Sequence, residues 1–184
     1  LLTSEVYRVI AIANGKVEQK DKYTEEDIKN LEFKVLVGFI DPIRKETIAS
    51  ISDCKRAGIK VVMVTGDHPL TAFAIAKELN IASDYSEVAT GDDIEKISKK
   101  SEKEFDKFIK EKTIFTRVTP LQKLSIVNSF KRQGEFVAVT GDGVNDAPAI
   151  KAANIGIAMG SGTDVAKETS SMIIIDDNFL SIVA

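Results

Sequence analysis

From Lys34 onward the sequence alternates short apolar runs with amphipathic stretches, and this alternation is its strongest constraint on the fold. The runs VLVGFI (35–40), KVVMV (60–64), TIFTRV (113–118), EFVAVT (135–140), NIGIAM (154–159) and SMIII (171–175) have strand length, and EVA (87–89) reads as a shorter strand. Between them the spacing predicts helices over 43–57, 69–79, 92–99, 102–111, 120–133, 145–153 and 163–169. Ile48, Ile51 and Cys54 share one helical face, and Phe105, Phe108 and Ile109 another. The punctuation agrees. Gly58 and Gly134 stop helices, Pro69 stands in a first turn, and Thr119-Pro120-Leu121-Gln122 is a capping box. Such an order predicts the α/β class: a Rossmann-like, mainly parallel sheet with helices on both faces.

Residues 5–13, EVYRVIAIA, read as a strand, and 14–32 as a polar connection with a short helix near 24–30. The composition changes there, so the expected division is 1–33 and 34–184. A chain of 184 residues with 43% hydrophobic content buries a proper core. Its net charge of −3 speaks against a nucleic-acid partner. The single cysteine, Cys54, allows no disulfide within the chain and reads as a small core residue. No apolar run approaches the roughly 18 residues of a membrane span. The chain starts without a methionine, which is expected of a piece of a longer protein.

Ligands of such sheets bind outside the carboxyl ends of the strands. Four of these ends are polar: Asp41 after VLVGFI, Thr65-Gly66-Asp67 after KVVMV, the capped helix bearing Lys123 after TIFTRV, and Thr140-Gly141-Asp142-Gly143 with Asn145-Asp146 after EFVAV. Phosphate oxygens are met by hydroxyls, backbone N–H groups and lysine, which Thr65, Gly66 and Lys123 supply. Magnesium takes carboxylate oxygens and keeps waters, which suits Asp142 with Asp146 nearby. Asn145 offers an amide donor, and Gly141 and Gly143 allow close backbone approach. Taken singly, Thr-Gly-Asp is a common turn, Lys123 a solvated lysine, Asp41-Pro42 a turn starter and His68 a loop residue. The Gly-Asp-Gly-x-Asn-Asp run is more specific, because five fixed residues in six arise by chance at about one position in a few million.

These segments resemble the P-type cation-transporting ATPases of the haloacid dehalogenase superfamily. MVTGDHPLTAFAIAKELNI resembles their threonine-glycine-aspartate motif, and RVTPLQKLSIV the segment of their phosphate-binding lysine. VTGDGVNDAPAIKAANIGIAMG, then GTDVAKE and DDNF, resemble the hinge motif and its sequel. The GDGVNDAP and DDNF forms are most similar to type II pumps, which move calcium, sodium/potassium or protons, and calcium is the first expectation. The resemblance implies that Thr65 and Gly66 bind the transferred phosphate and that Asp67 orients or caps the site. It implies that Lys123 contacts the phosphoryl group and that Asp142 holds Mg2+. Asn145 and Asp146 would steady the phosphate and the magnesium shell. On the ATP side, Arg117 would approach the nucleotide from the rim, and Arg44 would lie with Asp41 at a hinge. FIDPIR departs from the family pattern by placing Ile43 where a second proline is usual.

The resemblance makes 1–33 the end of a nucleotide-binding domain plus hinge, and 34–184 the C-terminal part of a phosphorylation domain. The family is phosphorylated on a D-K-T-G-T aspartate, and that motif does not occur in this sequence. The nucleophile strand is therefore expected outside the chain, as are the membrane helices. The expected partners are that upstream segment and the membrane domain of one protein, with this chain a soluble, cytoplasmic-side part. The vacant central position is expected to be filled by another strand, either segment 5–13 or a second copy in a strand-exchanged dimer. Two other readings stay open here: a free-standing phosphatase using Asp41, and a magnesium- or nucleotide-sensing module without turnover.

Overall fold

The computed structural model describes residues 8–17, 19, 21–39 and 42–183. The chain forms two compact units, Leu1–Pro42 and Ile43–Ala184.

In the first unit β1 (Arg8–Asn14) pairs antiparallel with β2 (Glu32–Phe39), with a register shift between Ile12 and Ala13. Their connection contains one 3-10 turn, Glu25–Asp27, in place of the expected short helix. Two expectations change here. The run expected at 35–40 starts at Glu32 and belongs to this hairpin, not to the parallel series. Segment 5–13 does not fill a gap in the parallel sheet, because its described part is spent on β2. Local antiparallel pairing closes a shorter loop than a long-range crossover does, which favours this use of both strands. The division accordingly falls after Pro42 and not after residue 33. Asp41 lies outside the described residues.

The second unit runs α1 (Lys45–Arg56), β3 (Met63–Thr65), α2 (Pro69–Glu78), β4 (Val88–Thr90), α3 (Gly91–Ser98), α4 (Glu102–Lys110), β5 (Ile114–Thr116), α5 (Pro120–Arg132), β6 (Ala138–Gly141), α6 (Ala147–Ala152), β7 (Ile155–Met159), α7 (Asp164–Thr169), β8 (Met172–Ile174) and α8 (Leu180–Val183). Every strand pair in it is parallel. The expected single sheet is two three-stranded sheets, ordered β3-β5-β4 and β6-β7-β8. Among the described residues β3 and β6 each have a partner on one side only. The two sheets are joined through helices, with α5 packed on both α4 and α6.

Adjacent residues of β5 show how helices come to cover both faces. Ile114 and Phe115 are both 0% exposed, yet they enter different cores, because successive strand side chains point to opposite faces. Ile114 joins Ile51, Ala72, Ala76 and Leu79 of the α1–α2 side. Phe115 joins Ile94, Phe105, Ile109 and Ile126 of the α3–α4–α5 side. Cys54 is buried on α1, and burial pushes its thiol pKa up. A smaller cluster of Ile150, Ala158 and Ala166 sits under α6 and α7.

Asp106 of α4 clamps α5. Its Oδ1 accepts from the Ser129 hydroxyl at 2.6 Å and from Arg132 Nη2 at 2.5 Å, and its Oδ2 from Arg132 Nε at 3.1 Å. Ser129 is fully buried, so this carboxylate is its means of satisfaction. Hydrogen bonding by Arg132 comes first among the causes that hold the Asp106 pKa below the ordinary carboxylate range. Asp106→Ala should cost about 1–3 kcal/mol in urea unfolding, mainly the penalty of leaving the buried Ser129 hydroxyl without its acceptor, since Arg132 stays partly exposed and keeps Glu102. A depressed pKa stabilises above the unfolded-state value and is lost as pH falls through the folded one. The gap between wild type and Asp106→Ala should therefore be constant near neutral pH and shrink below the usual aspartate range.

Candidate functional site

Parallel pairing brings the ends of β3, β5 and β4 level, with Thr65 opposite Thr116 and Thr90 opposite Thr116. Thr116 is fully buried and its hydroxyl donates to the Ala89 carbonyl at 3.4 Å. Thr65, on the edge strand, is half-buried and keeps its hydroxyl at the tip. That hydroxyl donates to Asp67 Oδ2 at 3.0 Å and accepts the Asp67 N–H at 3.1 Å. Asp67 thus closes the turn. Gly66 borders open space. His68 has a defined place: it is the N-cap of α2, and its Nδ1 accepts the Leu70 N–H at 3.3 Å.

At the end of β6 the chain turns through a 3-10 turn, Val144–Asp146, into α6. Asp146 Oδ1 forms an ion pair with Lys123 Nζ at 2.6 Å, and Oδ2 accepts the Gly143 N–H at 3.2 Å. The two side chains are 18% and 16% exposed, so the pair is shielded from much of the solvent. Gly141 makes room for it. A Cβ there would stand 2.5 Å from Asp146 Cβ and 2.9 Å from its carboxyl carbon. Lys123 is set by α5, whose Thr119 cap accepts the Gln122 N–H at 3.3 Å.

Asp142 is exposed, and among the described residues no hydrogen bond or ion pair engages its carboxylate. Its backbone is held, since its carbonyl accepts the Thr163 N–H at 2.8 Å. The same loop is fixed again at Ser161, whose N–H donates to Asp177 Oδ1 at 3.1 Å. Hydrogen bonding by Ser161, from its side chain first and its backbone N–H second, holds the Asp177 pKa below the usual range. The Asp177 carbonyl accepts from Arg44 Nη1 at 3.4 Å. Arg44, expected at a hinge on the nucleotide side, is the N-cap residue of α1 and anchors the Asp176-Asp177-Asn178 turn. Asn145 and Arg117 are exposed at the tips. Thr163, Ser161, Asp177 and Gln122 were not singled out as site residues from sequence. Their signals are the Gly-Ser-Gly-Thr after a strand and the capping box.

No group of three or more His, Cys, Asp or Glu residues is arranged to hold a metal among the described residues. Asp146 is committed to Lys123 and Gly143, whereas the Asp142 carboxylate has no partner among the described residues. One carboxylate with waters and phosphate oxygens is a donor set that suits magnesium.

Residues 5–154 match the haloacid dehalogenase-like hydrolases, and the chain belongs to that family. Within it, the chain is similar to ion-transporting ATPases along most of its length. It is 45% identical over 99% of its length to calcium-transporting ATPase 1 of Bacillus cereus, and 44% over 98% to the calcium-transporting ATPase of Bacillus subtilis. It is 46% identical over 85% of its length to sodium/potassium-transporting ATPase subunit alpha-4 of Rattus norvegicus. The chain spans about a fifth of the length of these relatives, 20% of the two bacterial ones and 18% of the rat one.

Lys123→Ala strands a shielded carboxylate. The expected loss is about 1–3 kcal/mol, below the roughly 3–5 kcal/mol of a fully buried pair because both groups retain some solvent. Asp146→Ala should lose a similar amount, and the double variant should lose less than the sum. Urea unfolding of the four forms checks this.

Proposed function

We propose that this chain is the C-terminal part of the phosphorylation domain of an ATP-driven cation pump, which turns over through an aspartyl phosphate. One observation carries the reading: an unengaged Asp142 carboxylate and a Lys123–Asp146 pair stand at the carboxyl ends of parallel strands. The near-complete alignment with ion-transporting ATPases supports it.

In this reading Thr65 and Gly66 donate to the oxygens of the transferred phosphoryl group, and Asp67 holds their turn. Lys123 adds a point charge whose position Asp146 fixes, so the charge is placed before the substrate arrives. Asp142 would hold Mg2+ directly, and Asp146, committed to Lys123 and Gly143, would act only on the outer shell; the ion would supply charge neutralisation at the phosphoryl oxygens. Asn145 donates to the phosphate, and Arg117 meets the nucleotide at the rim. Arg44 contributes by bracing the turn at Asp177. The attacking carboxylate belongs to an upstream segment of the same protein, whose strand pairs with the free edges of β3 and β6. Those edges would otherwise leave peptide groups without partners. A strand-exchanged dimer of this chain would satisfy the same edges.

The setting is the cytoplasmic side of an integral membrane protein. Among the described residues no helix is long and apolar enough to cross a membrane, so the ion path belongs to other parts. Calcium is the favoured ion, in line with the two bacterial calcium-transporting relatives that align over 98–99% of the chain.

In the full-length protein, Asp142→Asn should lower phosphoenzyme formation from ATP by about 100-fold or more, the effect of losing a metal-bound charge worth several kcal/mol. Wild-type levels would contradict the assignment. The chain by itself, offered acetyl phosphate with magnesium, should gain no covalent phosphate. Phosphate on Asp41 would establish the free-standing phosphatase instead.

A further inference from the structure

Four residues other than glycine hold left-handed backbone among the described residues: Asn30, Asn80, Asp177 and Arg117, with φ between 51° and 56°. Three are Asn or Asp, whose short polar side chains tolerate this region. Arg117, at +51°, is the exception. Glycine fills the equivalent conformation at Gly58 and Gly134. At 117 a long cationic side chain stands where glycine would relieve the backbone, and such strain collects at functional positions.

The surroundings enforce the conformation. Thr116 before it is fully buried and Val118 after it is 9% exposed, while Arg117 itself is exposed. Its carbonyl is pressed on Gly91, the first residue of α3. A Cβ at 91 would stand 2.4 Å from that oxygen and 3.0 Å from Gln122 Oε1. Gln122 completes the clamp. Its Oε1 accepts the Thr119 N–H at 2.9 Å, and its Nε2 donates to the Gly91 carbonyl at 2.9 Å. This arrangement needs an acceptor and a donor on one planar group. A carboxylate of the same size meets the first demand and fails the second.

We propose that Gln122 and Gly91 are positioning residues whose task is to hold Arg117 at the tip of β5, where its guanidinium meets the anionic or hydroxyl groups of a bound nucleotide. The proposal rests on the pump reading above. Thr116 lies in register with Thr65, so Arg117 follows directly on the strand neighbouring the phosphate turn. Gln122 therefore serves twice: it caps α5, which carries Lys123, and it locks the residue at the strand's end. Capping alone would be met by Glu.

The test uses the full-length protein. Gln122→Glu should raise the KM for ATP about tenfold, the loss expected when a charge-assisted contact is misplaced, while phosphoenzyme formed from inorganic phosphate stays within about twofold. Arg117→Ala should raise the KM similarly, and the double variant should be no worse than Arg117→Ala. Multiplying effects on KM, or an equal fall of both phosphoenzyme routes in Gln122→Glu, would overturn the proposal. If Gln122→Glu does not fold, Arg117→Gly decides. It should raise the Tm and raise the KM for ATP together, and a lower Tm or an unchanged KM would refute it. A wild-type protein that forms no phosphoenzyme from either source would instead sink the pump reading, and the nucleotide role of Arg117 with it.

Discussion

The two parallel sheets share no strand pairing, so their tips are held in one place by helices and side chains. The Lys123–Asp146 pair is central to this arrangement. Lys123 stands on the helix that follows β5, and Asp146 in the turn that follows β6. A contact between them ties the end of one sheet to the end of the other. An ion pair this shielded recovers little net energy beyond its own desolvation, yet breaking it leaves a charge without a partner. Its value is geometric, since it fixes an ammonium between the ends of the two sheets. The room made by Gly141 is what lets the carboxylate lie close against the backbone.

A second set of bonds fixes the loop around Asp142 without using its carboxylate. Thr163 holds the Asp142 carbonyl, Ser161 is held by Asp177, and Asp177 is braced by Arg44. These contacts use backbone N–H and C=O groups at the loop and keep the acidic side chain exposed.

Much of this was legible in the chain. Strands ending at Thr65 and near Thr140 followed from apolar runs bounded by glycine and aspartate, and the α5 cap from Thr119 to Gln122. Its place after a strand and a cap marks Lys123 in the sequence, and the structure adds the partner that holds it. The hairpin is not legible in the sequence. VLVGFI carries the same apolar pattern as a parallel strand, and nothing local distinguishes it from one that pairs with β1. The contact of Arg44 with the Asp177 carbonyl, 133 residues away, leaves no mark on the local sequence. The second bond of Gln122, to a residue 31 positions earlier, was equally invisible.

The sequence by itself determined the α/β alternation, the helix caps and the residue types at each strand end, because these depend on periodicity and on contacts within a few residues. Tertiary structure alone decided that Asp146 is committed to Lys123 while Asp142 stays uncommitted, that one expected sheet is two, and that Arg117 is forced into a glycine conformation. Each of these is settled by which distant groups meet, and hydrogen-bond satisfaction and packing across tens of residues leave no mark on local pattern.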